Sequence, residues 1–305
     1  MRRQDTNQHT MAAALRSLQK LGSLGVAAAA ATTLAYPSAP SACDARRRFA
    51  GKTIVITGGG GTFGRVGARY FAEQGAKVVL VDVNQAAFDS VVSDVEGQVT
   101  ACACDVRDAA QVQAVVDAAG PIHLLWNNAG YQGAMKPLLE YPADDVQTVM
   151  DINVVGAFRV LQAVARNMAS HGGGSIVQTG SVAGLRGTPT MGAYVASKAA
   201  IHGLTMTAAK DLAPHGIRVN TVMPALIGPA DGFMWHRQNK LHASSGSPYF
   251  DADPAVVAQR KVGGVPLKRL GEVEEVVEAV AFLLSDEASY VTGTSLVVAG
   301  GGGVE

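Results

Sequence analysis

Seven short apolar runs recur between residues 53 and 298, and segments with helical periodicity separate them. The run at residues 53–57 has the nearly continuous apolar pattern of a strand buried on both faces of a parallel sheet. Alternation of such strands with helices predicts an α/β domain with helices on both faces of one sheet. The other six predicted strands are residues 77–81, 98–103, 122–126, 174–179, 216–223 and 295–298.

Helical periodicity is clearest at residues 63–75, 144–168 and 273–284. The middle segment has apolar side chains at helical spacing, and Asn153 lies inside it. Asparagine is mildly unfavourable within a helix, because its side chain competes with the backbone for hydrogen bonds. Asn153 is therefore a candidate for a specific role.

A glycine-rich stretch joins the first strand to the first helix. Gly59, Gly61 and Gly64 have the spacing G-x-G-x-x-G, in which missing side chains let the backbone and the helix N-terminus approach a pyrophosphate. A glycine cluster alone would indicate only a flexible loop, but strand, loop and helix in this order supply the required context. The sequence therefore predicts a dinucleotide site on a single Rossmann-type, doubly wound parallel sheet with strand order 3-2-1-4-5-6-7.

Two aspartates follow the second and third predicted strands. Asp82 lies about 20 residues after the glycines, where a carboxylate can accept hydrogen bonds from both hydroxyls of the adenosine ribose and would repel a 2′-phosphate. No arginine follows it immediately, so NAD is predicted in preference to NADP; an aspartate that merely starts a turn is the alternative. Asp105 could reach the adenine, or could cap the helix that begins near Asp108.

Composition narrows the function classes. The 305 residues are 48% hydrophobic with a formal net charge of zero, which fits one large α/β domain and leaves no basic face for nucleic acid. Cys43, Cys102 and Cys104 have neither the number nor the spacing of a disulfide framework or a zinc site, and no metal is predicted. A small-molecule ligand is favoured instead.

Residues 1–48 differ from the rest of the chain. They are basic, with no acidic residue between Met11 and Cys43, and leucines spaced along a basic stretch could form the amphipathic helix of a mitochondrial presequence. The apolar run at residues 21–36 could instead belong to a secretory signal, and it is too short for a confident membrane span. We expect a mitochondrial presequence, with plastid, secreted and disordered cytoplasmic segments as alternatives, ahead of an NAD-binding domain at residues 49–305.

A second candidate site lies at Tyr194-Val195-Ala196-Ser197-Lys198. On a helix, a phenol and an ammonium four positions apart share one face and can act on the same atom. A nearby lysine charge favours the phenolate, so the tyrosine could act as a general base below its usual pKa of about 10. Ser181 follows the fifth strand, at the edge where open α/β sheets bind ligands. No Ser-His-Asp arrangement is evident, which disfavours a hydrolase.

This ordered set of motifs resembles the short-chain dehydrogenase/reductase family over residues 49 to about 300. The shared motifs are Thr57-Gly58, Asn127-Asn128-Ala129-Gly130, Asn153, Ser181, Tyr194-x-x-x-Lys198 and Thr292-Gly293. The resemblance implies hydride transfer between NAD and a small-molecule alcohol or ketone. It also implies a homo-tetramer or homo-dimer that pairs through the helices carrying Asn153 and Tyr194.

The resemblance assigns four catalytic residues. Tyr194 would remove the alcohol proton, and Ser181 would hydrogen-bond the substrate oxygen. Lys198 would lower the pKa of the tyrosine and bind the nicotinamide ribose. Asn153 would hold a water that links the lysine to solvent; a packed asparagine satisfied by the backbone is the alternative.

The resemblance also implies a set of cofactor-binding residues. Thr62 stands where the family usually has its second glycine, so Gly61 is expected to supply the tight turn. Pro229 stands where a threonine commonly binds the nicotinamide amide. The predicted cofactor-binding residues are Gly58, Gly61, Thr62, Phe63, Gly64, Asp82, Asp105, Asn127, Gly130, Tyr194, Lys198, Pro224 and Ile227.

Residues 226–262 are expected to form a lid over the substrate. This segment mixes aromatic with polar side chains, as expected where water is excluded and a few polar contacts are offered. An oligomer contact is the alternative. The candidate substrate-binding residues are Gln132, Trp235, His236 and Gln238.

Residues 128–134, 232–238 and 299–301 resemble the polyol dehydrogenases of the family, which act on sugar alcohols such as xylitol. We therefore expect an NAD-dependent oxidoreductase that interconverts a secondary alcohol, such as a polyol, and its ketone. A reductase of 3-oxoacyl or other carbonyl compounds is one alternative, which Asp82 disfavours. A non-catalytic NAD-binding sensor or scaffold is the other, suggested only by the departures at Thr62, Ala225 and Pro229.

Overall fold

The computed structural model describes residues 47–88 and 99–303 of the chain. The predicted targeting segment therefore lies almost entirely outside the described residues, as does Gln98 at the start of the third predicted strand. The targeting assignment and the oligomeric state both stay predictions.

Seven parallel strands form one sheet in the order β3-β2-β1-β4-β5-β6-β7, as predicted. They are β1 Thr53–Thr57, β2 Lys77–Asp82, β3 Val99–Ala103, β4 Leu124–Asn127, β5 Gly174–Thr179, β6 Ile217–Pro224 and β7 Ser295–Val298. The bounds of β1, β5 and β7 agree with the prediction, and the others shift by one or two residues. The strand order reverses between β1 and β4, which opens a crevice at their carboxyl ends.

Helices cover both faces of this sheet. Those used below are α1 Thr62–Glu73, α2 Ala109–Ala119, α3 Ala143–Ser170, α4 Gly192–Leu212, α5 Phe233–Ala243, α6 Pro254–Gly263 and α7 Val273–Leu284. Successive residues of a strand point to opposite faces. Ile54 and Ile56 accordingly pack with α1 and α7, whereas Val55 packs with α2, α3 and α4. The fold therefore has two separate apolar cores, one on each side of the sheet.

The helix predicted at residues 144–168 is present as α3, but it is not uniformly α-helical. Asp151–Gly156 forms a π-helical turn between Ala143–Met150 and Ala157–Ser170. Asn153 lies in this turn, and such turns are often found at functional sites. Among the described residues, α3 is the one helix long and apolar enough to cross a membrane; half of its most apolar window is buried in the fold, and core helices pass the same test.

The first helix lies very close to the sheet. Gly67 on α1 faces Trp126 of β4, and a Cβ atom at position 67 would overlap the indole ring. Trp126 is fully buried, and its Nε1 donates a hydrogen bond of 2.9 Å to Oγ1 of Thr179. Glycine at position 67 thus lets α1 pack closely against the sheet, with its N-terminus directly after β1.

Candidate active site

The glycine loop turns sharply at the end of β1. Gly58 has a φ of 68°, in the left-handed region that favours glycine, and the Gly61 amide closes the turn by donating to the Gly58 carbonyl at 3.1 Å. Gly61 has an ordinary φ of −78° at the N-cap of α1. Gly61 therefore takes part in the tight turn, as predicted, whereas the backbone conformation that favours glycine is the one at Gly58.

The start of α1 packs directly beneath this loop. A Cβ atom on Gly64 would overlap the Gly58 carbonyl oxygen and would lie 2.6 Å from the Cα of Gly59. Thr62 and Phe63 occupy the first two positions of the helix. Since helix N-termini present unpaired N–H groups and a partial positive charge, the loop and these residues form a backbone surface suited to a pyrophosphate.

Asp82 at the end of β2 is bonded to the glycine loop. Its Oδ2 accepts a hydrogen bond of 3.0 Å from the amide of Gly60, and its Oδ1 accepts one of the same length from the amide of Asn84. The alternative interpretation, an aspartate that starts a turn, therefore holds as well, because the Asp82 carboxylate bonds the amide of Asn84 two residues later. Asp82 also reaches the loop that precedes α1, and this second contact places it in the candidate cofactor site.

A cavity of about 260 Å³ opens at the carboxyl ends of the strands, close to the reversal of strand order. Four predicted cofactor residues line it: Gly58, Asp82, Asp105 and Gly130. Much of the remaining wall is apolar and includes Val106 and Ile152. Open α/β sheets bind ligands in this crevice, and a carboxylate beside apolar walls suits an adenosine.

Asp105 is not the helix cap. Asp108 caps α2 by accepting hydrogen bonds from the amides of Ala110 and Gln111, so the capping alternative for Asp105 is wrong. The carboxylate of Asp105 instead pairs with Arg107 at 2.6 Å, and hydrogen bonding to this guanidinium lowers the pKa of the carboxyl. Arg107 also lines the cavity and was not identified from the sequence.

Thr57 holds the turn that follows β4. Its Oγ1 accepts hydrogen bonds from the amides of Asn128 and Ala129 and donates one to the Oδ1 of Asn127. Asn127 is buried, and its Nδ2 donates to a carbonyl of α3 and to the Oε1 of Gln178. Asn127 therefore links the central strands to α3 and steadies the turn. Sequence analysis named Thr57 only as the start of the glycine loop and assigned it no role in this turn, which lies about 70 positions away along the chain.

Ser181, Tyr194 and Lys198 converge at the carboxyl end of β5. The Ser181 hydroxyl lies close enough to the Tyr194 phenol to favour its phenolate, and the Nζ of Lys198 lies 5.7 Å from the centre of the Tyr194 ring. Lys198 is only 4% exposed, and its Nζ donates a bond of 2.7 Å to the carbonyl of Thr179. A phenol, a hydroxyl and an ammonium are thus grouped where one substrate oxygen could meet them.

Asn153 connects this group to the neighbouring segments. Its Oδ1 accepts from the amide of Tyr131, and its Nδ2 donates to the carbonyl of Tyr131 and to the Oγ of Ser197. A Cβ atom on Gly130 would lie 3.5 Å from the Oδ1 of Asn153 and 3.6 Å from the Nζ of Lys198. The catalytic group therefore adjoins the cavity that Gly130 lines. The predicted water relay through Asn153 stays a prediction.

Burial is the main cause of the pKa shifts of Lys198 and Tyr194. It lowers the pKa of Lys198 to about 8 and raises the pKa of Tyr194, although the hydrogen bond from Ser181 acts in the opposite direction. The net direction for Tyr194 is opposite to the lowering expected from the lysine charge, because burial favours the uncharged phenol. At neutral pH Tyr194 is a protonated phenol, ready to donate a proton to a carbonyl oxygen.

Two further predicted residues lie where β6 leads into the lid. The carbonyl of Pro224 accepts a long hydrogen bond of 3.5 Å from the Oγ of Ser181. Ile227 forms an isolated parallel bridge with Gly271, which fixes the first residues of the lid. Both lie on the chain that leaves the catalytic edge of the sheet.

The predicted lid contains the helices α5 and α6. Trp235 is 7% exposed, whereas Phe233 is 76% exposed, so Trp235 is the aromatic side chain of α5 that faces inward. It lines a cavity of about 450 Å³ together with Pro229, and none of the four predicted catalytic residues lines that cavity. His236 is exposed and Gln238 is half-buried.

Gln132, the remaining candidate, lies in the segment that follows β4. It is half-buried and directly follows Tyr131, whose backbone is bound on both sides by Asn153. Sequence analysis also missed Ser197, which joins Asn153 to the catalytic helix through a bond of 3.0 Å. The signal for Ser197 is a polar residue on the buried face of a helix.

Comparison with known proteins gives consistent matches over this region. A family model described as enoyl-(acyl carrier protein) reductase matches residues 61–302. Levodione reductase of Leifsonia aquatica is 35% identical, over 83% of this chain and 95% of its own length. The 3-oxoacyl-[acyl-carrier-protein] reductase of Thermotoga maritima is also 35% identical, over 83% of this chain and 98% of its own length. A solved structure of NAD+-bound xylitol dehydrogenase is 46% identical, with a TM-score of 0.81, and covers 83% of this chain and 100% of that chain.

Proposed function

The chain belongs to the short-chain dehydrogenase/reductase family, and from this premise we propose that it is an NAD-dependent dehydrogenase interconverting a polyol such as xylitol and its ketone. The observation that carries the proposal is the grouping of Ser181, Tyr194 and Lys198 next to Gly130, which lines the cavity shared with Asp82. A phenol that could transfer a proton and a cavity suited to an adenosine thus lie side by side.

The residues present fit NAD. Asp82 would hold the ribose hydroxyls, and the glycine loop that packs on Gly64 would hold the pyrophosphate. Lys198 would reach the nicotinamide ribose. Gly64 supports this fit, because a Cβ atom there would overlap the Gly58 carbonyl and the loop could not pack against the N-terminus of α1. When bound, NAD supplies the acceptor for the hydride that leaves the alcohol carbon.

The protein's own part in the reaction is proton transfer and positioning. Ser181 would hold the substrate oxygen by a hydrogen bond, and Tyr194 would take the hydroxyl proton during oxidation or return it during reduction. Tyr194 must lose its own proton before it can act as the base. Because burial raises the pKa of Tyr194, reduction is the direction for which its protonation state is already suited at neutral pH.

A polyol is favoured by the 46% identity to xylitol dehydrogenase over that protein's whole length. Gln132, His236 and Gln238 could supply donors and acceptors for adjacent hydroxyls. The relationship to a 3-oxoacyl reductase at 35% identity favours a second candidate, a reductase of carbonyl compounds. The carboxylate of Asp82 opposes it where the reductant is NADPH.

The direct test is a substrate screen with the purified full chain. Xylitol, sorbitol, cyclohexanol and a 3-oxoacyl thioester are each offered with NAD(H) and with NADP(H), and nicotinamide absorbance is followed. We expect the highest kcat/KM with a polyol and NAD. Preference for the thioester with NADPH would favour the reductase, and absence of turnover with every pair, together with intact NADH binding, would favour the sensor or scaffold.

Replacing Asp82 is expected to change cofactor preference. In Asp82→Ser the ratio of kcat/KM for NAD to that for NADP should fall by about 10- to 100-fold, because charge-assisted hydrogen bonds to the ribose are lost and repulsion of a 2′-phosphate disappears. The ratio is the proper measure, since Asp82 also orders the amide of Gly60 and its loss weakens both cofactors. Asp117→Asn, on the exposed side of α2, is the control; an unchanged ratio in Asp82→Ser would contradict the assignment.

A further inference from the structure

Thr190 has a backbone conformation that threonine rarely adopts. Its φ is 71°, and among the described non-glycine residues only Lys268 shares a positive φ. For a β-branched side chain this is a strained conformation, and such strain persists where the surrounding contacts impose it. Thr190 is 7% exposed and lies just before α4, four residues before Tyr194.

Three segments around the substrate side of the site meet at Thr190. Its carbonyl accepts a hydrogen bond of 2.9 Å from the amide of Lys136, in the segment that carries Gln132. Its Oγ1 lies 3.4 Å from the Nδ1 of His242 on the lid helix α5. The chain itself then continues into the helix of Tyr194. Thr190 thus connects the lid, the segment after β4 and the catalytic helix.

His242 is built into the base of the lid. It is 3% exposed, its ring centre lies 4.1 Å from that of Phe250, and its carbonyl accepts a bond of 2.6 Å from the Oγ of Ser245. Burial, and secondarily the charge of Lys261, lower the pKa of His242 to about 3. The contact with Thr190 is therefore one between neutral groups.

The contact also fixes how α5 is turned about its axis. Trp235, Asn239 and His242 are the buried residues of this helix, and their spacing places them on one face. Lys261 of α6 supports the same face, because its Nζ donates to the Oδ1 of Asn239 at 2.8 Å and lies 5.5 Å from the Trp235 ring. Anchoring His242 therefore sets the direction of the whole helix that carries the candidate substrate residues.

We infer that Thr190 and His242 are positioning residues, which hold the lid in a fixed register with Tyr194 and so determine how tightly the alcohol is bound. The inference rests on the function proposed above and deepens it. Neither residue takes part in proton transfer. Both act through the placement of the residues that meet the substrate.

Two near-isosteric variants test this contact. His242→Phe keeps an aromatic ring against Phe250 and removes the nitrogen, and Thr190→Val keeps the branched shape and removes the hydroxyl. We expect each to raise the KM for xylitol by about 3- to 10-fold, the range for loss of one neutral hydrogen bond. The kcat and the KM for NAD should stay within about twofold, since the catalytic residues and the cofactor cavity are untouched.

Further variants separate positioning from general stability. Thr190→Ser keeps the hydroxyl and should restore a wild-type KM, and the double variant of Thr190→Val with His242→Phe should be no worse than either single one, because both remove the same contact. Ser244→Ala, at the exposed end of α5, is the matched control. Tryptophan emission gives a second readout: the chain has two tryptophans, of which Trp126 is in the sheet and Trp235 in the lid, so a red shift in His242→Phe reports a displaced lid.

The possible outcomes separate the inference from the proposed function. A KM for xylitol within twofold of wild type in both single variants, with unchanged emission, would overturn the positioning role. Equal losses of kcat, NAD affinity and thermal midpoint would overturn it as well, because they would indicate general destabilisation. If the wild type oxidises no polyol, the proposed function fails. The emission of Trp235 in the same variants then still shows whether the contact between Thr190 and His242 holds the lid in place.

Discussion

Tyr194→Phe is expected to lower kcat by about 10²- to 10⁴-fold, the usual contribution of general acid–base catalysis. The phenol is the group to which the proposed mechanism assigns proton exchange with the substrate oxygen, which Ser181 would hold. Lys198 cannot replace it directly, because its Nζ is bonded to the carbonyl of Thr179. The kcat of the purified full chain, with a polyol and NAD, measures the loss.

The same variant should retain its fold and its affinity for NADH. Removing one hydroxyl leaves the half-buried ring and the cavity lined by Gly58 and Asp82 in place. The NADH dissociation constant and the thermal midpoint should therefore match those of the wild type. Tyr290→Phe is the control, since Tyr290 is fully exposed. Wild-type turnover in Tyr194→Phe would remove the phenol from the mechanism and favour a sensor or scaffold.

The strands followed from the sequence because they depend on local pattern, and their order followed from the Rossmann-type fold that the motifs indicated. A strand covered by helices on both faces is buried along its whole length, as at Thr53–Thr57, and the continuous apolar run Ile54-Val55-Ile56 is visible without coordinates. The glycine loop and the Tyr-x-x-x-Lys spacing are local in the same sense. Features of this kind needed no knowledge of which segments meet in space.

The features missed from the sequence depend on contacts between distant segments. Thr57 supports a turn about 70 positions away along the chain, and Ser197 bonds Asn153 across two helices. Helical periodicity also continues through the π-helical turn at Asp151–Gly156, because a single extra residue barely alters the apolar pattern. Such contacts need the fold before they can be identified.

The direction of the tyrosine pKa is the most instructive of these differences. Spacing alone placed the lysine charge close enough to favour the phenolate of Tyr194. The structure adds the burial of both groups, which favours their neutral forms. Sequence spacing indicates which groups are neighbours, but burial decides which of their protonation states is stable.

Lys198→Met is expected to abolish most turnover while raising stability. Below pH 8 the folded protein must hold a buried ammonium, since burial lowers the pKa of Lys198 from its ordinary 10.5 to about 8. That shift corresponds to a cost on the order of 3 kcal/mol. Removal of the charge recovers this cost, less the ~1 to 2 kcal/mol lost where the Thr179 carbonyl loses its donor.

A net gain of about 1 to 2 kcal/mol should raise the thermal midpoint of Lys198→Met by several degrees at pH 7. The kcat should fall by at least ~10²-fold, because the ammonium beside Tyr194 is gone. Lys210→Met, on the exposed side of the same helix, should show neither effect.

The pH dependence of this gain has a definite sign. Between about pH 8 and 10.5 the unfolded chain still binds the Lys198 proton, whereas the folded protein has released it. The free energy of unfolding of the wild type therefore rises with pH over this range. The variant lacks this gain, while Lys261, whose pKa burial also lowers to about 8, titrates in both proteins and cancels in the comparison. The difference in midpoint between Lys198→Met and wild type should therefore be largest below pH 8 and shrink toward pH 10. A variant that melts below the wild type at pH 7 would mean that the bond to Thr179 outweighs the cost of burying the charge.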